Sequence, residues 1–419
     1  MKQFITLILL LPLVLQAQQQ ISVKKTIEKA QQHYPFIRQK DLLKQTAAIS
    51  IENLSKGFLP QFNINAQATY QSDVTTINIP IPGVSSNPLS KDQYKILADV
   101  NQLIYDGGVI NQQKNIQQLN ENIEQQKVDV ELYKLKEKII QLYLSVLYLD
   151  EQLNQVDLMK ADLNIGIKKT SALVNNGVAF KSNLNVLKAE LLKADQRVIE
   201  IKSSRKGLTD VLGLFTGEEL PENVKLEKPI VEPASLSDGT VRPELNVYST
   251  QQKLLIGQNK LIDSRNKPKA SLFFQGGYGR PALNFLKNDF ALFYTSGIRF
   301  NWAFGGLYTQ KNEKKLIEIN QKTIELQKET FLLNTNGALK QQQSEVDKLK
   351  QLIAKDEEII ALREDIKNAA NAQLENGVIT ANDYLREVNA ADQSRQSLIT
   401  HQIQLLQAQI NYQTISGKQ

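Results

Sequence analysis

The sequence predicts a mixed, mainly-α chain in which long coiled-coil-like helices accompany four β-strands, arranged as an internal two-fold repeat. Three observations predict it. The stretches Asn111 to Val174 and Gly306 to Leu374 contain no proline. Four short segments alternate strictly between apolar and polar residues. Short motifs from the first half recur in the same order in the second.

Composition excludes several classes. The 419 residues are 22% charged and 41% hydrophobic, the balance of an ordered protein. With Gly 20 and Pro 12, a loop-rich all-β fold is disfavoured, and 7% aromatics are too few for a chain that is barrel from end to end. Cys is 0, which removes disulfides, thiolate metal sites, a Cys nucleophile and a lipid-acylated Cys. The two histidines, His33 and His401, lie far apart without ligand spacing. Little material remains for catalysis, so no enzyme activity, cofactor or metal site is expected. The net charge of +6 is spread along the chain and gives nucleic-acid binding little support.

The first element is a leader. Met1-Lys2 precedes the apolar run Phe4 to Leu15 and then Ala17, the pattern of a secretory signal at 1–17. About a dozen apolar residues are too few to cross a ~30 Å hydrocarbon core as a helix. No later segment reaches the ~18 apolar residues of a membrane helix, so membrane entry would require closed β-structure.

The duplication rests on six matches. Tyr34-Pro35-Phe36-Ile37 resembles Arg242-Pro243-Glu244-Leu245, and Gly57-Phe58-Leu59-Pro60 resembles Arg265-Asn266-Lys267-Pro268. Tyr70 matches Tyr278; all three lie 208 residues apart (243 − 35, 268 − 60, 278 − 70). Tyr105-Asp106-Gly107-Gly108 matches Ala303-Phe304-Gly305-Gly306, 198 apart (303 − 105). Asn176-Gly177-Val178 matches Asn376-Gly377-Val378, and Gly217 matches Gly417, both 200 apart (376 − 176, 417 − 217). The repeats cover 18–219 and 244–419, joined by a Pro-rich connector at 220–243.

Each repeat opens with a helix, in the first half from about Ser22 to Ser55. A hairpin follows at 60–105. Phe62, Ile64, Ala66, Ala68 and Tyr70 face one way and Gln61, Asn63, Asn65, Gln67 and Thr69 the other. Val74 to Lys91 reads as a long loop, and Tyr94, Ile96, Ala98 and Val100 begin the second strand. The second hairpin, 268–303, has a strand with Leu272, Phe274 and Tyr278, and a partner strand from Phe290 to Ala303. Its aromatics suit a membrane barrel's girdle; a half-buried soluble sheet would show the same alternation. Long helices at 111–174 and 306–374 would each span roughly 100 Å at ~1.5 Å per residue. Shorter helices return at 182–215 and 382–415, capped near Ser182 and Asn382.

Four strands cannot close a barrel when the smallest bacterial barrels use about 8. Open edges cannot face lipid, so several copies would share one transmembrane β-barrel, continued by an α-barrel of the long helices. Here the sequence resembles the TolC-like outer-membrane efflux and secretion channels, the outer membrane factor family. The resemblance spans nearly all of the chain after the leader. It is carried by Gly57-Phe58-Leu59-Pro60, Tyr105-Asp106-Gly107-Gly108 and Arg242-Pro243-Glu244-Leu245. It is carried also by the run from Glu375 to Leu385 and by Ile415-Ser416-Gly417. It implies a homotrimer of 12 strands in outer-membrane lipid, extending into the periplasm. A periplasmic membrane-fusion adaptor and an inner-membrane transporter would be its partners. The competing expectation is a periplasmic coiled-coil adaptor or scaffold protein, which leaves the hairpins unexplained.

Asn176, Gly177, Val178, Asn376, Gly377 and Val378 form the turns between long and returning helices. They read either as plain helix–helix turns or, by the resemblance, as the periplasmic tip where an adaptor docks. Asp383 reads either as a pore constriction residue, as the resemblance implies, or as an aspartate favoured by the helix dipole. Asn183 is its uncharged counterpart and Arg386 stands where the family sometimes has a second acid, which would weaken a cation preference. Asp99, Asn101, Arg299 and Asn301 are candidate lumen-facing strand residues. Gly276-Gly277-Tyr278-Gly279 is no nucleotide loop, since no Lys-Ser/Thr follows.

Overall fold

The computed structural model describes residues 20–76, 89–230 and 240–418. The expected leader, most of the first hairpin loop and part of the connector lie outside the described residues. In chain order the elements are α1 (Val23–His33), α2 (Gln39–Ser55), β1 (Gln61–Tyr70), β2 (Asp92–Tyr105), α3 (Val109–Asn175) and α4 (Lys181–Thr216). There follow α5 (Pro243–Arg265), β3 (Lys269–Arg280), β4 (Ala291–Asn301), α6 (Gly306–Glu375) and α7 (Ala381–Ser416). No helix among the described residues is long and apolar enough to cross a membrane.

Two compact units divide the chain: Met1–Arg38, Val128–Pro243 and Thr330–Gln419 form one, Gln39–Lys127 and Glu244–Glu329 the other. The first unit is helical. Its core joins Val156, Met159 and Leu163 of α3 with Leu187, Ala194 and Ile201 of α4. Ala370 and Leu374 of α6 and Ala381, Tyr384 and Val388 of α7 complete it. The spacings of three, four and seven are those of coiled-coil seams, and helices this long hold by such packing rather than by propensity. Returning helices α4 and α7 stop at Gly217 and Gly417, both left-handed at φ +73° and +82°.

The start of the connector is packed, not loose. Val224 and Leu226 are buried, and Ile21 bridges to Leu226 in parallel. Arg205 of α4 fixes this segment. Its Nε donates to Asp150 at 2.5 Å, while its terminal nitrogens donate to the carbonyls of Glu222 at 2.6 Å and Val224 at 2.5 Å. Charge-assisted bonds of this kind contribute about 1.5–3 kcal/mol each when sheltered.

The single helix expected from Ser22 to Ser55 is broken. Pro35 forces its neighbour out of the helical region, so Tyr34 is extended at φ −62°, ψ 120°, and a short 3-10 turn, Pro35–Arg38, separates α1 from α2. The matching Pro243 opens α5 instead, at the one helical position where proline fits without strain.

The second unit holds one four-stranded antiparallel sheet in the order β1-β2-β3-β4. Phe290 and the segment 302–304 fall just outside β4, shortening the strand expected there. Asp106 converts strand into helix at the β2–α3 junction. Its carboxylate accepts from the amides of Gly108 at 2.8 Å and Ile110 at 2.6 Å, occupying donors at the start of the helix.

Within the first unit, Gly166 is the single glycine of α3, and a Cβ there would lie 2.5 Å from the ring of Tyr384, which is 1% exposed. Gly166→Ala should therefore destabilise the protein by roughly 1–2 kcal/mol, the crowding outweighing the ~1 kcal/mol gain in helix propensity. In a Tyr384→Ala background the same change should stabilise. Chemical denaturation of the four proteins of this cycle measures the sign reversal.

Candidate functional site

The sheet of the second unit is built inside out. Its register aligns Phe62, Val100, Phe274 and Ser296 across one row, then Ile64, Ala98, Gly276 and Tyr294, then Ala66, Ile96, Tyr278 and Leu292. This apolar face is the open one: Ile64 is 80% exposed and Leu292 82%. The opposite face aligns Asn63, Asp99, Gln275 and Thr295; Asp99, Gln275 and Thr295 are partly sheltered and Asn63 is exposed. A sheet folded for water shelters its apolar face. Here, on the two inner strands, the polar face is the more sheltered one.

All four lumen candidates lie on the polar face. Asp99 and Asn101 alternate along β2, while Arg299 pairs with Ser271 and Asn301 with Lys269. Asp99 accepts from Asn65 Nδ2 at 3.0 Å and from Gln275 Nε2 at 2.5 Å. The Arg299 guanidinium lies 4.8 Å from the centre of the Phe273 ring.

Aromatic rings bracket the apolar face at two levels. Near the hairpin loops, Phe290 lies 5.5 Å from Tyr278 and 6.3 Å from Tyr94, with Arg280 over both Tyr94 and Phe290 and paired to Asp92. Near the helices, Trp302 lies 4.8 Å from Phe304, and its indole N–H donates to the Asn266 carbonyl at 3.0 Å. Tyr278 and Ala270, the partner of Phe300, are eight residues apart. That is roughly 27 Å along a strand, or about 20 Å at a ~40° tilt, close to the ~25 Å apolar band of an outer-membrane barrel.

The turns of the first unit share their main backbone bonds. Gly177 and Gly377 adopt φ +74° and +69°, the left-handed geometry that glycine alone takes freely. The amides of Val178 and Val378 each donate at 2.9 Å, to Leu173 and Gln373 respectively. Asn176 and Asn376 donate to Ala172 and Ala372 at 3.0 and 3.2 Å. The turns meet, with Val178 Cγ1 3.6 Å from a Cβ built on Gly377. Both valines are exposed.

The caps differ from those expected at Ser182 and Asn382. Phe180 occupies the N-cap of α4 without a side-chain bond, and Asn183 donates its backbone amide to the Phe180 carbonyl at 3.0 Å. Thr380 caps α7 in a complete capping box. Its hydroxyl accepts from the Asp383 amide at 3.2 Å and donates to Asp383 Oδ2 at 2.7 Å, while the same Oδ2 accepts from the Thr380 amide at 3.1 Å. These bonds from the Thr380 hydroxyl and amide hold the Asp383 carboxyl below the usual aspartate range. Arg386, also exposed, donates to Glu387 at 3.1 Å.

Sequence reasoning missed a polar cluster beneath these turns. Asp162 of α3 accepts from Lys367 of α6 at 2.8 Å and from Arg395 of α7 at 3.4 Å, and Arg395 also pairs with Glu364. The Tyr384 hydroxyl donates to the Asp162 carbonyl at 3.0 Å. Only tertiary packing brings together residues from three helices, so no local motif announced them. His401 pairs with Asp356 at 2.6 Å, and His33 packs over Gly217.

No family model matches the sequence, and no curated protein matches it. Solved structures do. The Vibrio cholerae outer membrane protein VceC is similar over 94% of this chain and 96% of its own, at 14% identity and a TM-score of 0.66. The protein CusC, described in terms of folding and transmembrane channel formation, is similar over 95% and 92%, at 13% identity and a TM-score of 0.70. The Neisseria gonorrhoeae MtrE outer membrane channel in its open state is similar over 94% and 89%, at 14% identity and a TM-score of 0.66. This chain has the fold of a TolC-like outer-membrane channel. At these identities the similarity is one of architecture: long helices in pairs beside a small antiparallel sheet.

Because Asp383 serves as a cap, its substitutions separate. Asp383→Asn keeps an acceptor for Thr380 and removes charge; Asp383→Ala removes both. Amide hydrogen exchange at Asp383 and Tyr384 should accelerate in the Ala variant and change little in the Asn variant at neutral pH. Since folding depresses this carboxyl, the contribution is full above the ordinary value of 3.8 and falls away as pH drops through the lower folded-state value. Protection in the wild type should decline over that acid window, and in Asp383→Asn it should not.

Proposed function

We propose that this chain is one subunit of an outer-membrane exit duct. In this reading it serves a tripartite efflux or type I secretion system, passing small molecules or proteins from an inner-membrane pump across the periplasm and outer membrane. The observation that carries the reading is the inverted sheet, which suits lipid outside and water inside. Edge strands β1 and β4 each offer one unpaired side, so β4 of one copy would pair with β1 of the next until the ring closes. Three copies would give a 12-stranded barrel, and the fold similarity to outer-membrane channels supports that closure.

In the same reading the Val178 and Val378 turns form the adaptor-docking tip, with Asp383, Arg386 and Asn183 near the constriction. Asp99, Asn101, Arg299 and Asn301 would line the barrel. The work is transport, with no bond made or broken by the protein. A periplasmic adaptor or scaffold would leave the apolar face exposed to water, without function or partner.

Adjacent residues on opposite faces of β4 test the reading. Tyr294→Arg should cost about 2–4 kcal/mol if that face meets lipid near midplane, abolishing recovery of oligomer in the outer-membrane fraction. Thr295→Arg, one residue on, should leave recovery unchanged. Release of the wild type by osmotic shock, or equal recovery of both variants, would remove the duct.

A further inference from the structure

The charges on the polar face of the sheet are unequal in sign. Along the four strands this face carries Lys95, Lys269 and Arg299 against the single carboxylate of Asp99. Three cations against one anion leave +2 per chain. The strands' other charged residues, Asp92 and Arg280, lie on the apolar face and neutralise each other. None of the three polar-face cations has an acidic partner among the described residues. Asp99 is four residues from Lys95 along β2, roughly 13 Å, and is already engaged by two side-chain amides.

Two of the cations are held against the sheet. The Lys95 stem lies over Gly279, where a built Cβ would come 2.8 Å from Lys95 Cγ. Arg299 lies over the Phe273 ring, and that ring in turn covers Gly297, 3.2 Å from a built Cβ. The glycines make room for side chains to lie flat, so the charges line a wall rather than project across the space it encloses. A cation held over an aromatic face keeps its charge and loses mobility.

We infer that the strand section of the duct favours anionic solutes, with Lys95, Lys269 and Arg299 as its specificity-determining residues. The inference rests on the duct reading, since closure repeats each charge around a ring. Rings of Lys and Arg are the general means by which a pore favours anions. Asp383 and Arg386 carry opposite signs, so the start of α7 adds no net charge through this pair.

Reversal potential tests this, measured for the full chain in a planar bilayer under a potassium chloride gradient. Wild type should show discrete conductance steps with a reversal potential of anion-selective sign. That selectivity should strengthen as salt is lowered, because the Debye length grows from about 10 Å at ~0.1 M to about 30 Å at ~0.01 M. Lys95→Gln should weaken it, the combined Lys95→Gln, Lys269→Gln and Arg299→Gln variant should lose it, and Asp99→Asn should sharpen it. The single changes shift selectivity in opposite directions, so a general loss of assembly cannot imitate the pattern. Discrete steps of cation-selective sign, or steps whose selectivity ignores all these substitutions, would overturn the inference and leave the duct standing. Absence of steps from wild type, together with its release by osmotic shock, would overturn the duct and the inference with it.

Discussion

A peptide N–H or C=O without a partner in hydrocarbon costs several kcal/mol, and the architecture answers to that penalty. Strands β2 and β3 are paired on both sides, whereas β1 and β4 each keep one open edge. In the duct reading the apolar face meets lipid, where those edges have no water to turn to, and the four-stranded sheet is a fragment of a larger closed structure. Side-chain alternation fits that reading: every second residue would suit lipid and every other water, with aromatic rings near the two ends of the apolar face.

The helical unit obeys a different rule. Its backbone is satisfied internally, so the requirement passes to side chains and helix ends. Packed seams hold the helices, left-handed glycines stop them, and a proline-induced extended residue divides the first from the second. The two halves of the chain solve these problems with different chemistry at matching positions. Pro35 interrupts a helix where Pro243 begins one. Thr380 caps with its side chain where Phe180 leaves the cap bare. The turns at Gly177 and Gly377 keep the same left-handed backbone, whereas at Pro35 and Pro243 the backbone itself differs.

Elements set by short-range rules were legible in the sequence. Period-two alternation located β1 from Phe62 to Tyr70, and proline-free amphipathic runs located α3 and α6. The Asn-Gly pairs located turns that need positive φ. Boundaries decided by a competing local contact were read less well: the cap moved from Asn382 to Thr380 because the hydroxyl and the Asp383 carboxylate complete each other. Side chains joined only by tertiary packing left no trace in the linear text. The Asp162, Lys367 and Arg395 cluster comes from three helices, and the fit of Tyr384 over Gly166 depends on an interhelical distance. Which face of the inner strands is sheltered is likewise set by the folded sheet and its neighbours, which alternation does not encode.

The central claim is that one face of β4 meets lipid and the other meets water. The chain contains no cysteine, so single cysteines can be placed one at a time from 291 to 301 without altering a native thiol. Reaction with a membrane-impermeant thiol reagent, in protein reconstituted in lipid, reads the face directly. The account predicts period-two reactivity, high at 293, 295, 297 and 299 and low at 292, 294, 296 and 298. Uniform reactivity, or the opposite phase, would contradict it.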